Sequence, residues 1–120
     1  MDVSSGPGLN DPFEDAIDDA LNSLPTELRA AMSNVEIVVE DEPPRGQLLL
    51  GLYRGVPLPR RSSTYSGVLP DKISIFGGPI TRLAAGDEDR LRREIRHVVL
   101  HEIAHHFGIS DERLIELDRY

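Results

Sequence analysis

One segment limits the possible folds more than any other. From Asp87 to Gly108 the chain carries a helical pattern of about six turns. Leu91, Ile95, Val98, Val99, Ile103 and Phe107 recur at three- and four-residue spacing and mark the side to be buried. Asp87, Glu88 and Asp89 put negative charge at the positive end of the helix dipole, and Glu88/Arg92 and Asp89/Arg93 are i,i+4 pairs in the favourable order. Gly108 supplies the stop, since it takes the left-handed conformation without a Cβ penalty. A chain of 120 residues has room for one domain with a modest core, so everything else must be arranged around this helix.

Residues 1–10 are rich in Ser, Gly and Pro and read as a disordered leader, leaving 11–120 as the single domain. Asp11-Pro12-Phe13-Glu14 has the order of an N-cap, a proline at the first helical position, and a Glu that can reach back to the cap. Phe13, Ile17, Ala20, Leu21 and Leu24 then form one apolar face, and Thr26 to Met32 forms a further short helical stretch after Pro25. Val35 to Val39, Leu48 to Tyr53 and Lys72 to Phe76 read as strands. Gly77-Gly78-Pro79 is read as a turn that ends the last of them: no Lys-Ser/Thr follows to make a phosphate loop, and no helix is expected to begin there. A long Arg/Ser/Pro-rich loop runs from Pro57 to Pro70. The predicted class is α+β, a small twisted sheet of three or four strands packed by the N-terminal helix and the long helix.

Composition removes several function classes. The chain has 13 Lys+Arg against 21 Asp+Glu, a net charge of −8, which argues against a nucleic-acid partner or a polybasic membrane contact. Residues 1–42 hold eleven acids against the single base Arg29, whereas from Pro43 to Arg82 six bases face only Asp71. Most of this charge is expected on solvated surface. The chain has no cysteine, so thiol nucleophiles, disulfide scaffolds and Cys-based metal sites are excluded, and any metal must use His, Asp or Glu. No apolar run approaches the roughly 20 residues of a membrane span, and the first residues lack the pattern of a signal peptide, so a cytoplasmic location is expected.

The chemistry concentrates on the long helix, in His101-Glu102-Ile103-Ala104-His105. Residues four apart stack on one helical face, so both imidazoles can aim a nitrogen at one metal ion, and Glu102 is placed to act as general base on a metal-bound water. A catalytic zinc normally takes three protein ligands. Helix continued through 108 would carry Asp111 away from the ion, whereas a left-handed turn at Gly108 folds the chain back and lets Asp111 offer a carboxylate oxygen. Glu112 and Glu116 are fallback third ligands, and Asp118 is read as surface charge in preference to a hydrogen-bond partner of a ligand histidine. His97 lies about 12 Å along the axis from His105, too far to share its ion, and is assigned to packing or to support of the site. His106 points roughly 100° around the helix from His105 and is expected to face solvent or to cap the helix C-terminus.

The run His101-Glu102-x-x-His105-x-x-Gly108-x-x-Asp111 resembles the signature of the zincin metallopeptidases, in the form in which Asp replaces a third His. Together with Glu40-Asp41-Glu42-Pro43-Pro44, Leu52-Tyr53-Arg54-Gly55 and Leu69-Pro70-Asp71-Lys72-Ile73, it is similar to a family of small bacterial minimal zincins, over roughly residues 13–120. The resemblance implies His101, His105 and Asp111 as metal ligands and Glu102 as catalytic base, with Zn2+ or another divalent ion as cofactor and a peptide or protein as substrate. It also implies an edge strand running antiparallel to substrate, for which Ile73 to Phe76 is the candidate. The nine residues after Asp111 are too few for the methionine-containing turn of metzincins, so none is expected, and Tyr120 has no geometric claim to a role. The implied activity is hydrolysis of peptide bonds. The alternative is a metal-binding interaction module without catalytic turnover, in which the ion pins the C-terminal segment to the helix.

Overall fold

Asp11 caps the first helix as its sequence suggests: its side chain accepts from the Phe13 N–H at 2.9 Å, and Pro12 opens α1 (Pro12–Asn22). The computed structural model describes residues 11–32, 34–56, 70–110 and 112. The 1–10 leader, the loop between Pro57 and Pro70 except for Pro70 itself, and Asp111, Glu116, Asp118 and Tyr120 lie outside the described residues. After α1 come α2 (Thr26–Ala31), β1 (Val35–Glu40), β2 (Gly51–Arg54), β3 (Asp71–Phe76), α3 (Gly77–Ala84) and α4 (Glu88–His106). The class is α+β, as predicted.

The three strands form one mixed sheet in the order β1-β3-β2. β1 runs parallel to β3, with Ile37 opposite Ile73, and β2 runs antiparallel to it, with Gly51 opposite Ile75 and Tyr53 opposite Ile73. This corrects the expectation for Ile73 to Phe76, which is the central strand and has no free edge. Its near-continuous run Ile73-Ser74-Ile75-Phe76 is buried residue by residue, as suits a strand covered on both faces. The edge strand next to α4 is β2, which starts later than the Leu48 predicted for it.

Gly77-Gly78-Pro79 does not make a simple stop. It is the first turn of α3, where a proline is tolerated because the N–H it lacks would have no partner in the helix. The Gly78 N–H donates to the Asp41 carbonyl at 2.7 Å, tying that turn to the end of β1.

α4 is capped by Asp87, whose carboxylate accepts from the Arg90 N–H at 3.1 Å. Its buried Ile95, Val98, Val99 and Ile103 meet Ile73 and Ile75 from the sheet, Ala16 and Ala20 from α1 and Ile80 from α3 in one core. Arg92 reaches Asp15 on α1 at 3.2 Å, and Arg90 sits 3.8 Å from Glu94. Part of the charge imbalance along the chain is resolved internally: Arg82 holds Glu42 with two hydrogen bonds, at 2.9 and 3.0 Å, and Glu40 accepts from the Ser74 hydroxyl and pairs with Lys72. These contacts hold both carboxyls below the usual carboxylate range, Glu40 chiefly through Ser74 and Glu42 through Arg82.

Candidate metal centre

The last turns of α4 place His101, Glu102 and His105 together, with one potential ligand atom from each lying within 4.8 Å of the others. The helical repeat accounts for this: the His101 and His105 rings lie one turn apart and meet edge to face, with centroids at 4.8 Å. Glu102 Oε1 is 3.3 Å from His105 Nδ1. The imidazole side chain of His105 is partly exposed, whereas Glu102 is buried, so the carboxylate lies deeper in the site than the His105 ring.

What buries Glu102 is β2. A Cβ at Gly51 would stand 2.6 Å from Val98 Cγ1, 3.1 Å from Glu102 Cγ and 3.2 Å from the Ser74 carbonyl oxygen. No real side chain fits there, so glycine lets the edge strand lie directly on the helix at the glutamate. Residues 48–53 on one side and His97, Val98, His101, Glu102 and His105 on the other enclose a cavity of about 400 Å³. His97 stands exposed on its rim, its ring 6.2 Å from that of His101, and is not part of the potential ligand group. The cavity sets a group able to bind a metal beside β2, an outer strand of the sheet among the described residues.

The helix then ends as its sequence predicts. Gly108 adopts φ +84°, the Gly108 N–H donates to the His105 carbonyl at 2.9 Å, and the Ile109 N–H donates back to Ala104 at 2.9 Å. This is the paired-bond terminus that turns the chain sharply away from the axis. Asp111 itself lies outside the described residues, and Glu112 is exposed.

The sequence model of a protein family described as Zincin-like metallopeptidase matches residues 32–120, which include the whole cavity and the helix that bears the histidines. The chain belongs to the Zincin-like metallopeptidase family. No curated protein matches it. Membership places a divalent metal, usually zinc, among this zincin-like chain's expected cofactors, and the residues fit one: the two imidazoles from adjacent turns are ligands that zinc accepts, and the Glu102 carboxylate stands beside them. Among the described residues no helix is long and apolar enough to cross a membrane.

One histidine departs from its expected place. His106 is wholly buried, where solvent or the helix end was expected, and its Nδ1 lies 3.0 Å from Asp71 Oδ2 and 3.3 Å from the Tyr53 hydroxyl. The rotation of about 100° from His105 is as expected. It points the ring into the sheet because Asp71, at the start of the central strand, offers an oxygen there. No local pattern announces this contact. The nearest signal is that Asp71 is the sole acid among the bases of 43–82.

Proposed function

We propose that this zincin-like chain is a cytoplasmic, zinc-dependent peptidase that hydrolyses peptide bonds in extended segments laid along β2. The observation that carries the reading is the meeting of His101, Glu102 and His105 on one wall of a cavity whose other wall is a sheet edge. His101 and His105 would hold the ion, and Asp111, just beyond the turn at Gly108, is the proposed third ligand. A zinc ion held there supplies Lewis-acid polarisation of the scissile carbonyl and acidifies the attacking water, to a pKa of about 7 in such sites.

Glu102 would accept a proton from the attacking water as the water oxygen bonds to the carbonyl carbon, and would return it to the amine nitrogen as the C–N bond breaks. Burial under Gly51 limits the carboxylate's freedom and keeps it aimed at the cavity. A substrate backbone hydrogen-bonds to the edge of β2, and Leu48, fully exposed, with Leu49 and Leu50 beside it, favours apolar side chains near the scissile bond. The absence of cysteine is compatible with the cytoplasmic part of this reading.

The test is Glu102→Gln in zinc-loaded protein, assayed by digestion of a peptide library with and without a chelator. A peptidase loses turnover by a factor of about 10² to 10⁴ and keeps its zinc. Wild-type protein that binds zinc and cleaves nothing supports instead a metal-binding module that acts through a partner.

A further inference from the structure

On the side of α4 turned into the sheet, three polar residues from three elements meet below the cavity. The Tyr53 hydroxyl on β2 donates to Asp71 Oδ2 at 2.6 Å, and the Nδ1 of His106, the last residue of α4, lies 3.0 Å from that same oxygen. Asp71 is the first residue of β3 and, like His106, is almost without solvent contact. The rings of Tyr53 and His106 meet edge to face with centroids at 5.6 Å. A Cβ on Gly55 would land on the Asp71 carboxyl, so the chain leaving β2 also closes over it.

Apolar side chains could fill this space without the cost of desolvating a carboxylate and an imidazole. What they could not supply is direction. Apolar contact is non-directional, whereas hydrogen bonds to one oxygen fix both distance and angle. Tyr53 and Gly51 are two residues apart and so share one face of β2, and both touch α4: Gly51 at Glu102, Tyr53 at His106, one residue beyond His105. The strand thus meets the helix at two points, Glu102 and His106, that lie on either side of His105.

We infer that Tyr53, Asp71 and His106 are positioning residues for the metal centre. They set the rotation and the height of the last turn of α4 against the edge strand, and so fix the aim of the His105 ring and the width of the cavity between helix and strand. This rests on the reading of His101 and His105 as metal ligands.

Three variants test it. Tyr53→Phe removes one hydroxyl and keeps the ring. His106→Leu removes the donor and keeps much of the bulk. His106→Asn retains an N–H on an atom that branches from Cγ as Nδ1 does. Zinc affinity is measured by chelator competition, well below the unfolding temperature, and amide hydrogen exchange is followed along α4 in the metal-free chain. Positioning predicts zinc binding about tenfold weaker in Tyr53→Phe and His106→Leu, the lower end for residues that orient ligands from behind, with His106→Asn within about threefold of wild type. It also predicts exchange about tenfold faster over residues 103–108 with little change over 91–99, since local opening follows local contacts. Zinc affinity unchanged in both variants, or protection lost evenly along the helix, overturns the assignment and leaves only a contribution to stability. Wild-type protein that takes up no zinc overturns the metal reading and this role with it, whereas zinc uptake that the variants leave unchanged overturns the role alone.

Discussion

His105 lines an open cavity with its side chain 27% exposed, while His106, the next residue, is sealed between helix and sheet against Asp71 and Tyr53. The two share a residue type, a helix and a turn, and differ by one step of rotation. That step gives one ring an outlook onto the cavity and the other a carboxylate from the central strand. Function at such a site therefore depends on the buried face of α4 as well as on the exposed one. The motif supplies donor atoms, and the sheet decides where they stand.

The widest separation between the two faces is expected from alanine at each histidine. His105→Ala should weaken zinc binding by more than about a hundredfold, beyond the range for residues that only orient ligands. The stability of the metal-free chain should stay within about 0.5 kcal/mol, as for other partly exposed sites. His106→Ala should instead cost the metal-free chain roughly 3 kcal/mol, because it empties a fully buried site and takes one hydrogen-bond partner from the buried Asp71 carboxylate. Urea denaturation with chelator present, paired with zinc competition, reads both quantities. If the two variants lose stability equally, the division between the faces is wrong.

A smaller effect is expected where β2 crosses the helix. Gly51→Ala forces a methyl against Val98 and Glu102 and should destabilise by about 2 kcal/mol through overpacking. Peptide turnover per folded molecule should fall as well, since the displaced neighbour is the proposed base. Turnover that tracks the folded fraction alone would show that the strand does not aim Glu102.

The smallest effect lies away from the site, in the exposed carboxylates. Glu40 and Glu42 titrate below their ordinary value, through the Ser74 hydroxyl and the Arg82 guanidinium respectively. A carboxyl lowered on folding adds stability that is fully present above its unfolded pKa and is lost as pH falls through its folded one. Melting temperature should therefore fall gently on acidification below the ordinary carboxylate range. Glu42→Gln should flatten that slope slightly, while zinc binding at neutral pH stays as in wild type. A variant slope equal to that of wild type would remove Glu42 from the acid response.

The features legible in the sequence were those that rest on neighbours along the chain. Asp11-Pro12 as a helix start, the periodic face of α4, the turn at Gly108 and the pairing of His101 with His105 all follow from local geometry, and the structure has each of them. Features that depend on distant segments leave no such local signal. Alternation in Lys72 to Phe76 does not separate a central strand from an edge strand, although the near-absence of polar residues after Lys72 leans towards the centre. Gly77-Gly78-Pro79 is turn-like in composition, and only the spacing of Ile80 and Ala84 behind it hints at a helix. His106 meets partners 35 and 53 residues earlier in the chain, which no periodicity encodes. The segments Leu52-Tyr53-Arg54-Gly55 and Leu69-Pro70-Asp71-Lys72-Ile73 contributed to the resemblance without a physical reason. Their contact through Tyr53, Gly55 and Asp71 supplies one.

The central claim is that two imidazoles from successive turns of α4 hold one cation. Its most direct test is the zinc content, after equilibration with excess zinc and dialysis, of wild-type protein and of the double variant His101→Ala/His105→Ala, each confirmed folded by circular dichroism. The account predicts about one zinc per chain in the wild type and almost none in the variant. Wild-type protein without bound zinc, or a folded variant that keeps as much as the wild type, would contradict it.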